Sequence, residues 1–473
     1  MKKLVGLFLC AVFVFCGCSV VHEDAKDQIT KYDKQLMQDV VLAPNIVINP
    51  VLYFLDETGT KFSAETRKLD VPQNERAEEV IIKALLSGPK SENLLSATKG
   101  LTYQKVEVLS DVVNVFLTAE PVYFNNEEAM LIAKLAIAST VSDFTGIKYI
   151  NVFINDMQVN YQNAPTGALQ KSSDLTNDML AIKSKSEAET QTMAVVLYYL
   201  DPSEKFLLPE IRNIAFENKN YASAIVKALI RGPENTYNHM PVIDKSLELI
   251  SDPEILTQDG KQILKMDFNK IPVVFTKEFL DGEKMALAAL ANSIIGFIPD
   301  ISGITIYVNG EPTEENKIYT LNDFQNLKGN STLLYLPNSS YTLLSGVERI
   351  VEQSKVGFAS TLLEELAKGP VNTDNKELWP AFPSGVSLQD IKEVYIADDM
   401  IVVDFEPSII QKLQGISDTD EFIFIYSIVN TLSQIGRIKS VQFLVDGQRV
   451  QTLGSGILNV IDPILKNPGI IKY

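Results

Sequence analysis

The chain has 473 residues, of which 46% are hydrophobic, and its formal net charge is −18 at pH 7. Such an acidic chain is poorly suited to bind nucleic acid or to adhere directly to anionic lipid. All three cysteines, Cys10, Cys16 and Cys18, lie near the N-terminus, so the rest of the chain has no disulfide, no thiolate metal site and no cysteine nucleophile. The length is sufficient for about three domains that fold by apolar burial alone.

The N-terminus has the features of a secretion signal. Two lysines precede an apolar run from Leu4 to Cys16 that is too short to span a bilayer as a permanent helix. The small residue Gly17 stands before Cys18, which resembles the lipobox of bacterial lipoproteins, where the cysteine is acylated and becomes the first residue. The sequence therefore predicts a signal peptide at residues 1–17 and a lipidated Cys18, with palmitate as a candidate acyl group. Plain secretion and a retained anchor remain alternatives.

Three similar blocks follow. Each opens with an apolar strand, in VLYFLDETG from Val51, VLYYLDPSE from Val196 and TLLYLPNSS from Thr332. A second extended stretch and a helix come next, and each helix stops at a Gly-Pro pair: Gly88-Pro89, Gly232-Pro233 and Gly369-Pro370. A glycine in the left-handed conformation closes a helix, and a following proline cannot continue it. We therefore interpret these pairs as helix stop signals; a ligand-binding glycine loop is the alternative.

The second half of each block is a hairpin, a long helix and a closing strand. The second hairpin strand alternates, so that apolar residues share one face: Val113, Val115 and Leu117; Leu264, Met266 and Phe268; Ile401, Val403 and Phe405. The closing strands end near the turn pairs Asn155-Asp156, Asn309-Gly310 and Asp446-Gly447. The order strand, strand, helix, hairpin, helix, strand predicts an α/β fold of the α+β type, a mixed sheet with helices on one face.

The chain between and around these blocks is mostly polar. We expect a flexible tether at residues 18–45, a flexible linker at 163–191, a short linker at 319–330 and an apolar C-terminal extension at 458–473. The three domains then occupy residues 46–162, 192–318 and 331–457. Because the second linker leaves little slack, the second and third domains are expected to keep a fixed relation. The extension is expected to dock on its own domain or on a partner.

Short motifs in the third block point to a known family. They are Val403-Asp404-Phe405, Asn430-Thr431-Leu432 and Asp446-Gly447, together with the opening strand and the helix that ends at Gly-Pro. In this combination they resemble the GerM domain of sporulation and spore germination lipoproteins. The second block departs at Met266 and Asn292-Ser293-Ile294, and the first at Val115-Phe116-Leu117. The resemblance implies a membrane-anchored, extracytoplasmic scaffold akin to ring-building motifs, where such domains associate side by side. It does not imply an enzyme.

Histidine and carboxylate chemistry is weakly supported by the sequence. The chain has two histidines, His22 in the tether and His239 in a loop, and neither belongs to a cluster for a catalytic triad or a zinc site. Paired acids hydrolyse glycans without histidine, so two sets of aspartates are the remaining catalytic candidates. Asp56 and Asp201 end equivalent strands where the third block has Pro337, and Asp267 and Asp404 match each other where the first block has Phe116.

Two other features have a structural and a functional interpretation. Thr140, Ser293 and Thr431 recur within the long helices, where a hydroxyl can bond the carbonyl one turn back and allow close packing. Trp379, the single tryptophan, lies in the loop ELWPAFPSG. It is expected to anchor the loop, with binding of a partner or a glycan as the alternative.

The sequence thus predicts a non-enzymatic lipoprotein without metal or cofactor. It would be anchored on the extracytoplasmic face of the bacterial cytoplasmic membrane by its lipid. As a scaffold or binding module in the cell envelope, it would contact envelope proteins or peptidoglycan, with self-association as a further possibility and no role for nucleic acid. A role in sporulation or germination follows from the resemblance alone. The alternative is an enzyme or accessory factor that acts on cell-wall glycan through carboxylates.

Overall fold

The computed structural model describes residues 46–472 except 73–74, 121–125, 159–160, 163, 274–281, 316, 372–376, 398 and 436–437. The predicted signal peptide, Cys18, His22 and the tether lie outside the described residues. The described chain forms two compact units. One contains the chain up to Thr332 together with Glu348–Val356, and the other contains Leu333–Val347 and the chain from Gly357 onward. The first and second copies of the repeat therefore share one unit.

The first copy has the predicted element order. Its main strands are Val51–Asp56, Phe62–Thr66, Leu101–Val108, Val112–Ala119 and Tyr149–Ile154. Short strands lie at Ile46–Ile48, Leu69–Val71, Leu94–Leu95 and Met157–Gln158. Its two helices are Ala77–Leu86 and Glu127–Thr145. The opening hairpin and Leu94–Leu95 form one small sheet, and the strands from Leu101 onward form a second, four-stranded sheet.

The second copy repeats this arrangement with longer opening strands. Its strands are Thr190–Leu200, Leu207–Glu217, Glu254–Gln258, Lys261–Phe268, Ile301–Val308 and Glu311–Pro312. Its helices are Tyr221–Arg231 and Gly282–Ile295, and a 3-10 segment follows at Leu321–Leu327. The opening hairpin forms a two-stranded sheet of its own.

The third copy adds a short helix and a C-terminal extension. Its strands are Gly329–Pro337, Leu344–Glu352, Ile391–Ala397, Met400–Phe405, Ser440–Val445 and Gln448–Arg449, with extension strands Ile464–Leu465 and Ile471–Lys472. Its helices are Ala359–Lys368, Ser408–Leu413 and Asp418–Leu432, and its 3-10 segments are Gln353–Lys355, Leu388–Asp390 and Pro468–Ile470. The extension docks on its own domain, because its two strands pair with Ser440–Val445 and with Leu344–Glu352.

The main sheet of every copy is mixed, as the sequence predicts. The hairpin strands are antiparallel, and the closing strand lies parallel to the second hairpin strand. A parallel pair needs a long crossover, which the long helix supplies. The opening hairpin does not join this sheet, which differs from the single sheet per domain implied by the element order. The first copy's long helix contacts both Val51–Asp56 and Tyr149–Ile154, and so holds the two sheets together.

The main sheet of the first copy is buried on both faces. Val113, Val115 and Leu117 point into the apolar core that the helices of the same copy cover. Val112 and Phe116, on the opposite face, belong to the core of the second copy. The helices therefore lie on one face, as expected, and the second copy covers the other.

The segment 163–191, expected to be a flexible linker, is held on the first copy where it is described. It contains the helix Leu175–Glu187, whose first residue is buried in the first copy's core. Asp174 caps this helix by accepting a hydrogen bond from the N–H of Asn177 at 3.1 Å. The N–H of Ser172 donates to the hydroxyl of Ser139 at 2.9 Å. Because the segment is mostly polar, the sequence did not indicate that a few apolar and capping residues attach it to the first copy.

Each copy covers the outer edge of its closing strand with the chain segment that follows. Ile150 pairs with Leu169 in the first copy, Ile304 with Tyr319 in the second, and Val441 with Ile464 in the third. These positions are equivalent, because each lies five residues before the first residue of the closing turn. The edge that an isolated domain would leave open is therefore closed three times in the same way.

Candidate functional site

The motifs that carry the family resemblance meet at the end of the third copy's sheet. Asp404 accepts a hydrogen bond from the N–H of Gly447 at 2.9 Å, and the N–H of Asp446 donates to the carbonyl of Phe405 at 2.9 Å. Asp446 and Gly447 have φ angles of 51° and 74°, as a tight two-residue hairpin turn requires. The carboxylate thus fastens a strand to a turn.

The other copies show what is essential in this arrangement. In the second copy, Asp267 accepts from the N–H of Gly310 at 3.2 Å. In the first copy, Phe116 replaces the aspartate and stacks on Phe153, with ring centroids 4.5 Å apart. The turn persists there, because the N–H of Asn155 still donates to the carbonyl of Leu117 at 2.9 Å. The recurring feature is the turn, which forms in the first copy without the aspartate.

The Gly-Pro pairs lie where the first helix of each copy ends. The glycine N–H donates to a buried leucine carbonyl three residues earlier; the pairs are Gly88 with Leu85, Gly232 with Leu229 and Gly369 with Leu366. Their φ angles are 86°, 94° and 67°. The expected left-handed helical conformation is wrong for Gly232 and Gly369, whose ψ angles of 177° and −158° are extended. A residue before proline avoids helical ψ, and positive φ with extended ψ is open to glycine alone.

A buried Arg–Glu pair, which the sequence reasoning missed, holds the Gly-Pro loop in two copies. Arg67 donates to the carbonyls of Ala84 and Gly88 and forms an ion pair with Glu65. Arg212 donates to the carbonyl of Gly232 and forms an ion pair with Glu210. The signal was present as Glu-x-Arg, within the second strand of the second copy and at the end of that strand in the first copy. The third copy has a buried arginine at the same place, within Val347-Glu348-Arg349.

The glutamate of each pair also caps the loop beyond the proline. Glu65 accepts from the N–H groups of Lys90 and Ser91, and Glu210 accepts from those of Glu234 and Asn235. Burial alone would raise the pKa of the Glu65 carboxyl, but the hydrogen bonds from Arg67 and the two backbone groups lower it below its ordinary value. These glutamates are therefore charged structural groups.

The recurring hydroxyls of the long helices bind the opening strands. Thr140 accepts a hydrogen bond from the N–H of Tyr53 at 3.1 Å, Ser293 from that of Tyr198 at 3.2 Å, and Thr431 from that of Tyr335 at 3.0 Å. The sequence interpretation of a structural role is supported, although the bond runs to the neighbouring sheet rather than back along the helix. The adjacent Asn430 binds the C-terminal extension through two hydrogen bonds with the backbone of Asn467.

The aspartates at the ends of the opening strands close their turns. Asp56 accepts from the N–H groups of Thr60 and Lys61, and Asp201 from those of Lys205 and Phe206. In the third copy, Asn338 accepts from the N–H groups of Thr342 and Leu343. The sequence comparison that placed Pro337 at this position was therefore wrong by one residue. An amide does this work in one copy, so the position requires a hydrogen-bond acceptor and not an acid.

The remaining candidates also contact their own copy. His239 is buried, donates from Nε2 to the carbonyl of Pro209 at 3.2 Å, and packs edge-on against Tyr199. The Trp379 side chain is 49% exposed; the backbone N–H of this residue donates to the carbonyl of Pro337 at 2.9 Å, and the centroid of its ring lies 6.1 Å from that of Tyr341. Among the described residues, no group of three or more His, Cys, Asp or Glu side chains could hold a metal ion. No helix in the described part of the chain is long and apolar enough to cross a membrane.

The geometry defines a tandem-repeat protein of small α+β domains in which the recurring motif residues fasten turns, helix ends and strands. The chain belongs to the Germane family, described as sporulation and spore germination, whose model matches residues 51–160, 196–314 and 333–451. It thus contains three tandem GerM-like domains.

Two solved structures of low sequence identity are similar to parts of the chain. The tandem GerMN domains of the sporulation protein GerM from Bacillus subtilis are 17% identical, with a TM-score of 0.25, and the match covers 58% of this chain and 97% of that one. A putative lipoprotein from Clostridium perfringens is 22% identical, with a TM-score of 0.20, and the match covers 29% of this chain and 88% of that one. No curated protein sequence gives a significant match.

Proposed function

We propose that this protein is a non-enzymatic, lipid-anchored envelope protein whose three GerM-like domains act as a scaffold or binding module in sporulation or germination. One observation carries the proposal: the recurring acidic side chains of the motifs are hydrogen-bonded within the fold. Asp404 and Asp267 hold closing turns, and Asp56 and Asp201 hold opening turns. Because these carboxylates accept hydrogen bonds from backbone N–H groups, we expect the protein to act through its surfaces and not through carboxylate chemistry.

The Arg–Glu pairs support the same proposal. They lie at the Gly-Pro loops, and each guanidinium is buried and bound to at least one backbone carbonyl as well as to its glutamate. Such an arrangement fixes a loop geometry that the fold uses repeatedly. Family membership adds the biological setting, which is sporulation and spore germination.

A peptidoglycan assay tests the absence of turnover. We expect the full-length protein, incubated with purified peptidoglycan, to release no soluble fragments and to sediment with the wall material or with envelope proteins. Release of fragments that disappears when a single Asp or Glu is replaced by its amide would establish the alternative, a glycan-acting enzyme. Crosslinking in intact cells, followed by mass spectrometry, would identify the envelope partner.

The lipid anchor is a separate part of the proposal and rests on the lipobox-like Gly17-Cys18. Bacterial lipoproteins carry at least two acyl chains, which suffices for stable attachment to the extracytoplasmic face of the membrane. Cys18→Ala is expected to release the protein into the medium or to stall its processing. Unchanged membrane retention of this variant would remove the anchor from the proposal.

A further inference from the structure

Trp379 and Tyr341 form an aromatic pair at the surface of the third copy. Trp379 is the single tryptophan of the chain, and its side chain is half-exposed. The two rings pack edge-on, with an interplanar angle of 70°, and Tyr341 is itself only partly buried. An exposed ring supported by a second one offers a large contact area to a ligand at a low cost in side-chain entropy.

Contacts with the backbone hold the aromatic pair in place. The N–H of Trp379 is bonded to the carbonyl of Pro337, and the hydroxyl of Tyr341 donates to the carbonyl of Pro380 at 3.0 Å. Tyr341 has a φ angle of 52°, in the left-handed region that bulky residues rarely adopt. Backbone outliers of this kind cluster at ligand-binding sites. Because the rings are already fixed, binding of a ligand does not have to order them.

The surroundings of the aromatic pair are acidic. Burial, and after it the negative charge of Asp420, raise the pKa of the Tyr341 hydroxyl, so this carboxylate acts on the ring. Asp418 and Asp420 both lie in the first turn of the helix Asp418–Leu432. Within the described part of the chain, neither carboxylate forms an ion pair with a lysine or an arginine. A cation is attracted both by such a carboxylate and by the face of an aromatic ring.

A neighbouring ring in the same copy already binds a lysine. The ammonium group of Lys466, in the C-terminal extension, lies 5.1 Å from the ring centroid of Tyr335 and 3.2 Å from its hydroxyl. Ile470 and Ile471 of the extension pack against the apolar cluster that contains both Tyr335 and Tyr341. This surface therefore accepts an extended segment that carries a lysine. Among the described residues, no lysine or arginine lies over either ring of the aromatic pair.

We propose that Trp379, Tyr341 and Asp420 form a docking site for an extended, lysine- or arginine-bearing segment of a partner envelope protein. The cationic side chain of the partner lies against the rings, and the carboxylate balances its charge. The formal net charge of −18 favours approach of such a partner at longer range. The inference rests on the proposed role as a binding module, for which it names the chemistry of the partner.

The fluorescence of the single tryptophan reports directly on this site. The full chain in detergent is titrated with acetylated pentalysine, and a hexamer of N-acetylglucosamine is the competing probe. We expect pentalysine to change the emission of Trp379 in a saturable manner, because the peptide covers the indole. No response to pentalysine, or a response to the hexasaccharide that equals or exceeds it, would overturn the proposal.

Two amide substitutions distinguish a specific site from general attraction to an acidic protein. Asp420→Asn should weaken the binding of pentalysine about three- to five-fold, the range expected for an exposed ion pair. Asp259→Asn is the matched control, because it removes the same charge from an exposed turn of the second copy, where asparagine tolerates the φ of 50°. Equal weakening in the two variants would show that the attraction is not specific, and would contradict the proposal.

Substitution of Trp379 tests the contribution of its ring. Because the bond to Pro337 uses the backbone, Trp379→Leu is expected to remain folded, which thermal unfolding checks. Calorimetry should show weaker binding of pentalysine to Trp379→Leu and most of the affinity retained by Trp379→Tyr. Equal affinity of Trp379→Leu and the wild type would refute the role of the ring. If pentalysine fails to bind while the protein still sediments with wall material or envelope proteins, this inference falls and the proposed function stands.

Discussion

A carboxylate oxygen of Asp404 lies 2.9 Å from the backbone nitrogen of Gly447, and this bond joins a strand to a turn 43 residues later. Asp404→Ala removes the acceptor of the Gly447 N–H, and we expect a loss of about 1–3 kcal/mol in local stability. Hydrogen exchange at the Gly447 amide measures it. Asp399→Ala is the control, because its exposed ion pair with Lys439 contributes at most about 1 kcal/mol. Equal exchange in both variants would contradict this role.

The hydroxyl of Thr431 can be removed with little change of shape. Thr431→Val takes away the acceptor of the Tyr335 N–H, which is buried, and should destabilise the third copy by about 1–3 kcal/mol. Ser427 lies one turn earlier on the same helix, and its buried hydroxyl has no hydrogen-bond partner among the described residues. Ser427→Ala is therefore expected to be neutral or stabilising in thermal unfolding. The reverse order of the two melting temperatures would refute the prediction.

Glycine at the helix stop is required by the backbone. Gly369→Ala forces an alanine to φ 67° and ψ −158°, and its Cβ would lie 3.3 Å from Pro380. We expect a loss of about 1–3 kcal/mol or more, read from the shift in melting temperature. Gly415, also in the third copy, has open space around its Cβ position and no positive φ. Gly415→Ala should change the melting temperature little, and a similar loss in both variants would contradict the backbone explanation.

The ion pair between Glu107 and Lys328 is buried in the unit that the first and second copies share. Burial alone would raise the pKa of the Glu107 carboxyl, but the charges of Lys328 and Lys105 lower it below its ordinary value. Lys328→Met removes one of the two lysines that pair with Glu107 and leaves it with Lys105, and should cost about 1–3 kcal/mol. Adding Glu107→Gln to Lys328→Met should restore much of this loss. A double-mutant cycle by chemical unfolding checks the coupling, which additive effects would disprove.

The same ion pair should make the stability of the protein fall in acid. Because the folded carboxyl binds its proton more weakly than the unfolded one, the stabilisation is complete above the unfolded pKa and is lost as pH falls through the lower folded pKa. The difference in the free energy of unfolding between the wild type and Glu107→Gln should therefore disappear in acid.

Lys134 predicts a slope of the same sign in alkali. Its amino group is buried, donates to the side chains of Gln158 and Thr166, and has a pKa lowered by burial to about 7. Between pH 7 and the unfolded pKa of 10.5 the unfolded chain binds the additional proton, so stability rises with pH by at most about 1.4 kcal/mol per unit. Lys134→Met should be more stable at pH 7 and should lack this slope. A parallel pH dependence in both proteins would contradict the assignment.

The sequence was sufficient where periodicity and turn chemistry carried the information. The alternation at Val113, Val115 and Leu117 identified the core face, and Gly-Pro located the helix ends. It was insufficient where contacts join distant segments. Nothing local indicates that Arg67 donates to the carbonyl of Gly88. The one-residue error at Pro337 arose because residue letters were aligned without knowledge of the hydrogen bonds. Burial of Phe116 by the second copy depends on packing between copies, which no single-copy pattern contains.

The covering segments at Leu169, Tyr319 and Ile464 bear on how such a chain can be divided or lengthened. A fragment cut directly after a closing turn would lose its cover and present bare amide and carbonyl groups to its neighbours. The natural module therefore extends past the turn to include the residues that follow. An array of modules that each cover the edge of their own closing strand can gain or lose a module without exposing an unpaired closing strand at its end.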